Sequence, residues 1–210
     1  MTAAPRGAFA SIILAAGGST RMGRPKMLLP FADGTVLSAA VAPHLEAGVP
    51  RVVVVLGDRA DDVRAQGGLA SDPRLRVVVN EAWAEGMASS IRCGLAACQD
   101  ADAVLIALGD QPGVDAARVR ALLSAWAPGI PLVVPVHEDR ASHPVLFARS
   151  VFGELAALRG DTGAREVVRR LWKEAARVSA PPLADIDTEE DYRTARAGGP
   201  PRPGEGLKVR

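Results

Sequence analysis

Apolar and polar positions change period regularly along this chain. Short apolar runs rich in β-branched residues lie at 9–14, 51–56, 75–79, 104–108 and 132–136, the length and composition of strands buried on both faces. Between and after them, apolar residues recur at helical spacing. Met87, Ile91 and Leu95 make one stripe, and Val119, Leu122, Leu123 and Trp126 another. Val151, Phe152, Leu155 and Leu158 follow, then Ala164, Val167, Val168 and Leu171. Ser150 and Thr162 stand where N-caps of those last two helices belong. Such alternation predicts βαβ units: an α/β fold of three layers, with a mostly parallel central sheet and helices on both faces. Residues 1–196 read as a single domain. Residues 197–210, which open Ala-Gly-Gly-Pro-Pro-Arg-Pro-Gly, read as a disordered tail.

The first strand runs directly into Leu14-Ala15-Ala16-Gly17-Gly18-Ser19-Thr20-Arg21-Met22-Gly23-Arg24-Pro25-Lys26. Glycines let backbone N–H groups approach a ligand, and consecutive N–H groups form a nest for anions. With Arg21, Arg24 and Lys26 added, the loop suits a polyphosphate. It is not a Walker A loop, because Arg24 and Pro25 follow Gly23 where Lys and Ser/Thr are required. Nor is it a dinucleotide fingerprint, which needs Gly-x-Gly-x-x-Gly and a later acidic residue.

The stretch resembles the signature Leu-Ala-(Ala/Gly)-Gly-x-(Ser/Thr)-x-Arg-Met-Gly-x-x-Lys of the nucleotidyltransferases that act on molybdopterin. That resemblance implies a Rossmann-like nucleotidyltransferase fold in which Leu14, Ala15, Ala16, Gly17, Gly18, Ser19, Arg21, Gly23 and Lys26 bind nucleotide. In open α/β sheets ligands sit beyond the carboxyl ends of strands, and five further motifs extend the resemblance. Gly109-Asp110-Gln111-Pro112 has turn composition and is similar to the family's Gly-Asp-x-Pro, which makes Asp110 a ligand for Mg²⁺ or Mn²⁺ beside the phosphates. Asn80 to Ile91 resembles Asn-x-x-Trp-x-x-Gly-Met-x-x-Ser-(Ile/Leu) of molybdenum cofactor cytidylyltransferases, with Asn80, Gly86 and Ser90 at the nucleotide. Helix-start hydroxyls such as Ser89 and Ser90 also serve simply as caps. Relatives that transfer GMP usually carry Leu-Ala-Gly-Gly where this chain has Ala16, and the Ala16 methyl is expected to crowd a purine more than a pyrimidine.

Ser142-His143-Pro144-Val145-Leu146-Phe147 is similar to the family's Gly-His-Pro-x-x-Phe, with Ser142 in place of glycine. Gly160-Asp161-Thr162-Gly163-Ala164-Arg165 resembles its Gly-Asp-x-Gly-Ala-Arg turn. The resemblance thereby implies acceptor-side roles for His143, Asp161 and Arg165. Near the end, Leu183 to Asp187 alternates like a short strand that would put Asp185 and Asp187 on one face. Thr188 with Asp191 forms a variant capping box. Related nucleotidyltransferases place a second metal ligand close to this point, which makes Asp187 the candidate.

Composition narrows the surroundings. The formal net charge of +1 offers no basic field for nucleic acid or an anionic membrane. No apolar run approaches the ~20 residues of a membrane span, and the N-terminus shows no signal-peptide pattern, so the expected location is the cytoplasm. Cys93 and Cys98, the two cysteines, would point about 140° apart on a helix and read as small buried hydrophobes in a reducing compartment.

The implied reaction joins CMP from CTP to the phosphate of a molybdopterin-type acceptor, with Arg21, Lys26 and Asp110 as catalytic residues. An apo-molybdoenzyme of the xanthine dehydrogenase type would receive the product. Three rivals stay open: a guanylyl- or sugar-phosphate nucleotidyltransferase, an NAD(P)H-dependent reductase, and a non-catalytic molybdopterin carrier.

Overall fold

The computed structural model describes residues 8–198 and 207–208. In chain order the elements are β1 (Phe9–Ala15), β2 (Pro30–Phe31), β3 (Gly34–Thr35), α1 (Val36–Glu46), β4 (Val52–Leu56), α2 (Ala60–Gln66), β5 (Leu75–Val79), α3 (Met87–Ala96), β6 (Ala103–Leu108) and α4 (Ala116–Ala125). Then come β7 (Leu132–His137), β8 (Arg140–Ala141), β9 (Val145–Ala148), α5 (Phe152–Ala157), α6 (Arg165–Arg170), β10 (Ala176–Ser179), α7 (Glu189–Arg196) and β11 (Leu207–Lys208). The main sheet runs β11-β8-β7-β9-β6-β1-β4-β5, with β10 also on β7. Strands β5, β4, β1 and β6 are mutually parallel, and β9 enters antiparallel between β6 and β7. The sheet is therefore mixed and mostly parallel, as the alternation of periods predicts.

Strand alternation divides the core in two. On one face Ile12, Leu14, Val53, Val55, Ile106 and Phe147 pack under α3, α5 and α6. On the other Ile13, Val52, Val54, Leu56, Leu105 and Leu146 pack under α1, α2 and α4. Both faces are apolar because both are covered, which is why these strands read as continuous apolar runs.

Several local expectations need correction. Residues 183–187 form no strand; Asp185 accepts from Gln111 while Asp187 pairs with Arg21 and Lys26, so the two aspartates take different partners. Ser150 lies inside a 3-10 turn, Arg149–Val151, that precedes α5, and Thr162 lies before the start of α6. Neither helix has a side-chain cap. Met87, expected on the core stripe of α3, is its exposed first residue. By contrast Thr188 and Asp191 do form a reciprocal capping box on α7. Cys98 is buried, Cys93 is half-buried, and both are free thiols. Most of 197–210, expected to be a disordered tail, lies outside the described residues, while Leu207–Lys208 pair antiparallel with Arg140–Ala141. Among the described residues no helix is long and apolar enough to cross a membrane.

Candidate active site

The glycine loop leaves the carboxyl end of β1 and folds back on itself. The Ser19 carbonyl accepts from the N–H groups of Met22 (3.1 Å) and Gly23 (3.2 Å), and its hydroxyl accepts from the Lys26 N–H at 3.1 Å. Ser19 and Gly23 both have positive φ, 51° and 65°, so the loop reverses sharply enough to return Lys26 to the strand ends. Gly17 has nothing within 4 Å of where a Cβ would stand, whereas Gly18 faces the Trp83 indole at 3.4 Å. Leu14, Ala15 and Ala16 are buried. The Ala16 methyl faces Gly57, whose own Cβ would come 2.8 Å from it.

Lys26 lies between two carboxylates. Its Nζ donates to Asp110 Oδ2 and, at 3.1 Å, to Asp187 Oδ1, while Arg21 pairs with Asp187 Oδ2 at 3.0 Å. Lys26 is only 12% exposed, against 16% for Asp110 and 27% for Asp187. Burial pulls the ammonium pKa down, but the charges and hydrogen bonds of Asp110 and Asp187 more than offset that and raise it above its ordinary value. Asp187 reaches this point because the Ile186 N–H donates to the Asp110 carbonyl at 3.0 Å. The Ile186 side chain is buried with Leu29, Val36 and Tyr192.

The two carboxylates are the residues that could hold a divalent cation. Asp110 Oδ1 is buried without a hydrogen-bond partner, an orphan acceptor of the kind a cation satisfies. Among the described residues no group of three or more acidic, His or Cys side chains could hold a metal. Two carboxylates with the remaining positions left to phosphate and water suit Mg²⁺ or Mn²⁺.

The segment after β5 makes a second wall. Asn80 is buried, and its amide nitrogen donates to Ser89 Oγ (2.8 Å) and Ser90 Oγ (3.1 Å), while its amide oxygen accepts from the Ala82 N–H. Asn80 is thus fully engaged inside the protein and acts by placing the serines. Ser89 donates to the Gly86 carbonyl, and Ser90 is buried beside it. Gly86 has φ +103°, and a Cβ there would stand 2.5 Å from the Gly160 carbonyl carbon, so no other residue fits. Asp161 accepts from the Met87 N–H at 3.3 Å, which ties the 160–165 turn to the start of α3.

Beside Asp110 opens a cavity of about 740 Å³. Its floor is apolar (Leu14, Ile106, Phe147), and its rim carries Arg140, Asp161 and Arg165. His143 lines it, its pKa pushed down to about 4 by burial and by the Arg165 charge, so the imidazole is neutral near pH 7. Arg118 donates to the carbonyls of His143 (3.2 Å) and Pro181 and fixes that wall. The structure thus brings the expected residues to one end of the sheet, beyond the carboxyl ends of the parallel strands, in two groups. Arg21, Lys26, Asp110 and Asp187 surround the loop, and His143, Asp161 and Arg165 line the cavity.

Sequence reading assigned no site role to Gln111, Asp185, Arg140 or Asp58. Gln111 and Asp185 line the cavity and bond to each other; Gln111 sat within a motif read only for its aspartate. Asp58, one residue past Gly57, places a carboxylate oxygen 3.6 Å from the Cβ position of Gly18, and its place beyond the carboxyl end of β4 was the signal available.

A glycine-rich loop at the end of β1, a lysine between two carboxylates and a mostly parallel three-layer sheet define a nucleotidyltransferase of Rossmann-like fold. Residues 11–176 match the MobA-like NTP transferase domain, and the chain belongs to that family. It is 37% identical over 167 residues to nicotine blue oxidoreductase of Paenarthrobacter nicotinovorans, covering 76% of this chain and 80% of that protein. It is 26% identical over 186 residues to molybdenum cofactor cytidylyltransferase of Escherichia coli strain K12, covering 88% and 94%. Among solved structures, Rv0371c of Mycobacterium tuberculosis H37Rv superposes with a TM-score of 0.81 at 35% identity, over 90% of this chain and 97% of that one. A manganese complex of the same protein superposes at 0.77, with 34% identity over 90% and 98%.

Proposed function

We propose that this chain, as one domain over residues 1–196, transfers CMP from CTP to the phosphate of a molybdenum-molybdopterin-type acceptor and releases pyrophosphate. The observation that carries the reading is the loop that returns Lys26 to within hydrogen-bond reach of Asp110 and Asp187. The cytidylyltransferase relative and the Asn80–Ser90 arrangement support the cytidine donor.

The acceptor is a phosphate monoester whose second pKa near ~6 leaves it mostly dianionic at neutral pH, so it needs no general base. One of its oxygens attacks the α-phosphorus as the bond to the β-phosphate bridge breaks. The difficulty is gathering anions and stabilising the charge that develops, which is a matter of position and electrostatics. The Gly17–Gly23 amides cradle the triphosphate, and Arg21 and Lys26 offset the charge leaving with pyrophosphate. Asp110 and Asp187 would hold Mg²⁺ or Mn²⁺, which when bound neutralises α-phosphate charge. Ser90 offers its hydroxyl proton to the base. The cavity beside Asp110 receives the acceptor, with Asp161 and Arg165 at its mouth and neutral His143 in its wall. Two free thiols fit a cytoplasmic setting, and an apo-molybdoenzyme of the xanthine dehydrogenase type would take the product.

The test is pyrophosphate release from each nucleoside triphosphate with Mg²⁺ or Mn²⁺, with and without molybdenum-loaded molybdopterin. Release from CTP alone, dependent on the pterin, is expected. Release from GTP would replace the donor, and no release from any nucleotide would refute transfer. The 37% identity to a protein named as an oxidoreductase supports a second reading, reduction of a heterocyclic substrate by NAD(P)H. Substrate-dependent loss of absorbance at the nicotinamide band would favour it.

A further inference from the structure

Two buried polar atoms without partners, Gln111 Oε1 and Ser142 Oγ, belong to residues lining the same cavity. Leaving a buried polar group unmade is costly, and two in one cavity wall make a site shaped for a ligand's hydrogen-bonding edge. Gln111 is only 4% exposed. Its Nε2 donates to Asp185 Oδ1 at 2.5 Å. A carboxylate accepts and cannot donate, so Asp185 fixes the amide with its oxygen as the free atom. The Asp185 carboxylate itself also lines the cavity. Gln111 and Asp185 present acceptors here, while the Ser142 hydroxyl can accept or donate, so a ligand meeting Gln111 must supply a donor.

The remaining surfaces narrow the ligand further. Leu14, Ile106 and Phe147 give the cavity an apolar floor, against which a sugar would strand hydroxyls but a flat ring would not. Arg140 and Arg165 line the cavity beside the carboxylates of Glu138, Asp161 and Asp185, so its charges balance and the hydrogen-bonding edge and the apolar floor do the selecting. The geometry points to Gln111 as a specificity-determining residue, held by Asp185, that reads the exocyclic amino donor of a planar heterocycle. This deepens the acceptor half of the proposed function and rests on the cavity being the acceptor side.

The test is direct binding by the full chain, without nucleotide, of pterin-6-carboxylate, of lumazine-6-carboxylate (a carbonyl replacing the 2-amino donor) and of glucose 1-phosphate. Calorimetry or pterin fluorescence gives the affinities. Wild type is expected to bind the pterin at least about tenfold more tightly than the lumazine, the size of one well-made hydrogen bond, and to bind glucose 1-phosphate weakest. Gln111→Leu should lose about that tenfold toward the pterin and little toward the lumazine. Asp185→Asn, which frees the amide to rotate, should narrow the pterin-to-lumazine ratio, an outcome that mere loosening of the fold would not produce. Circular dichroism and melting temperature establish that the variants are folded.

Equal pterin affinity in wild type and Gln111→Leu overturns the inference, as does wild type that prefers glucose 1-phosphate or binds none of the three. Binding as expected, with no pyrophosphate release from CTP, leaves the inference standing while cytidylyl transfer fails. CTP turnover with no pterin preference does the reverse.

Discussion

Replacing Lys26 by Met keeps the length of the side chain but removes the cation between Asp110 and Asp187. The gross Coulomb attraction of one such contact at 3.1 Å is about 5 kcal/mol at an effective dielectric of 20. Desolvating the ammonium offsets a large part of it. Fully exposed pairs contribute ~0–1 kcal/mol, and removing one partner of a fully buried pair costs ~3–5 kcal/mol. With Lys26 at 12% exposure and Asp187 at 27%, Lys26→Met should destabilise by about 2–3 kcal/mol, between those limits. Urea unfolding at pH 7 reads this directly, and 0.5 M salt should change it little because the site is largely shielded.

The sign with pH follows from the raised lysine pKa. The wild-type advantage is fully present below the ordinary lysine value of 10.5 and is lost as pH rises through the higher folded value. The gap between wild type and variant should therefore stay flat from pH 7 to 10 and close above that. Neutralising one acid as well, in Lys26→Met/Asp187→Asn, should recover about 1 kcal/mol of the loss by relieving like-charge repulsion. Pyrophosphate release should fall by about 10²–10³, the size of losing one preorganised charge-stabilising group. A stability loss under about 0.5 kcal/mol, the size of a surface substitution, together with turnover within threefold of wild type, would refute this account of Lys26.

Gly86→Ala should cost at least about 3 kcal/mol in chemical denaturation, since φ +103° is strained for any L side chain and the new methyl meets the Gly160 backbone; a loss below 1 kcal/mol would contradict the close approach. His44 is fully buried, its Nδ1 bonds Ser11 Oγ at 2.8 Å, and burial pushes its pKa down to about 4. A folded pKa below the unfolded 6.5 means stability is lost as pH falls below 6.5, by about 2 kcal/mol at pH 5. In His44→Leu the drop between pH 7 and 5 should shrink by about that amount, measured by urea titration at each pH. Asp110→Asn should leave the circular dichroism spectrum unchanged and lower pyrophosphate release by about 10² or more; near-normal turnover would remove Asp110 from the mechanism.

Periodicity carries the parts of this molecule that depend on neighbours close in sequence. The strands β1, β4, β5, β6 and β7 and the stripes of α3 and α4 were legible because burial on two faces or one face writes its period into the chain. The glycine loop and the Asp110 turn were legible because backbone reversal and phosphate binding demand particular residue types at fixed spacing. Helix α1 was not, since it is apolar on most sides and contains Pro43, which leaves no clean stripe. The antiparallel insertion of β9 between β6 and β7 leaves no local trace, because strand order is set by which surfaces bury each other.

The site divides the same way. The sequence by itself determined that an anion-binding loop and an acidic turn follow buried strands. Only the tertiary structure decided that Lys26 joins Asp110 to Asp187 across 84 and 161 residues of chain. Likewise it decided that Asp185 parts from Asp187 to hold Gln111 in the cavity wall. Those outcomes rest on single long-range contacts, such as the Ile186 N–H on the Asp110 carbonyl, and a contact between distant residues has no period for the sequence to display.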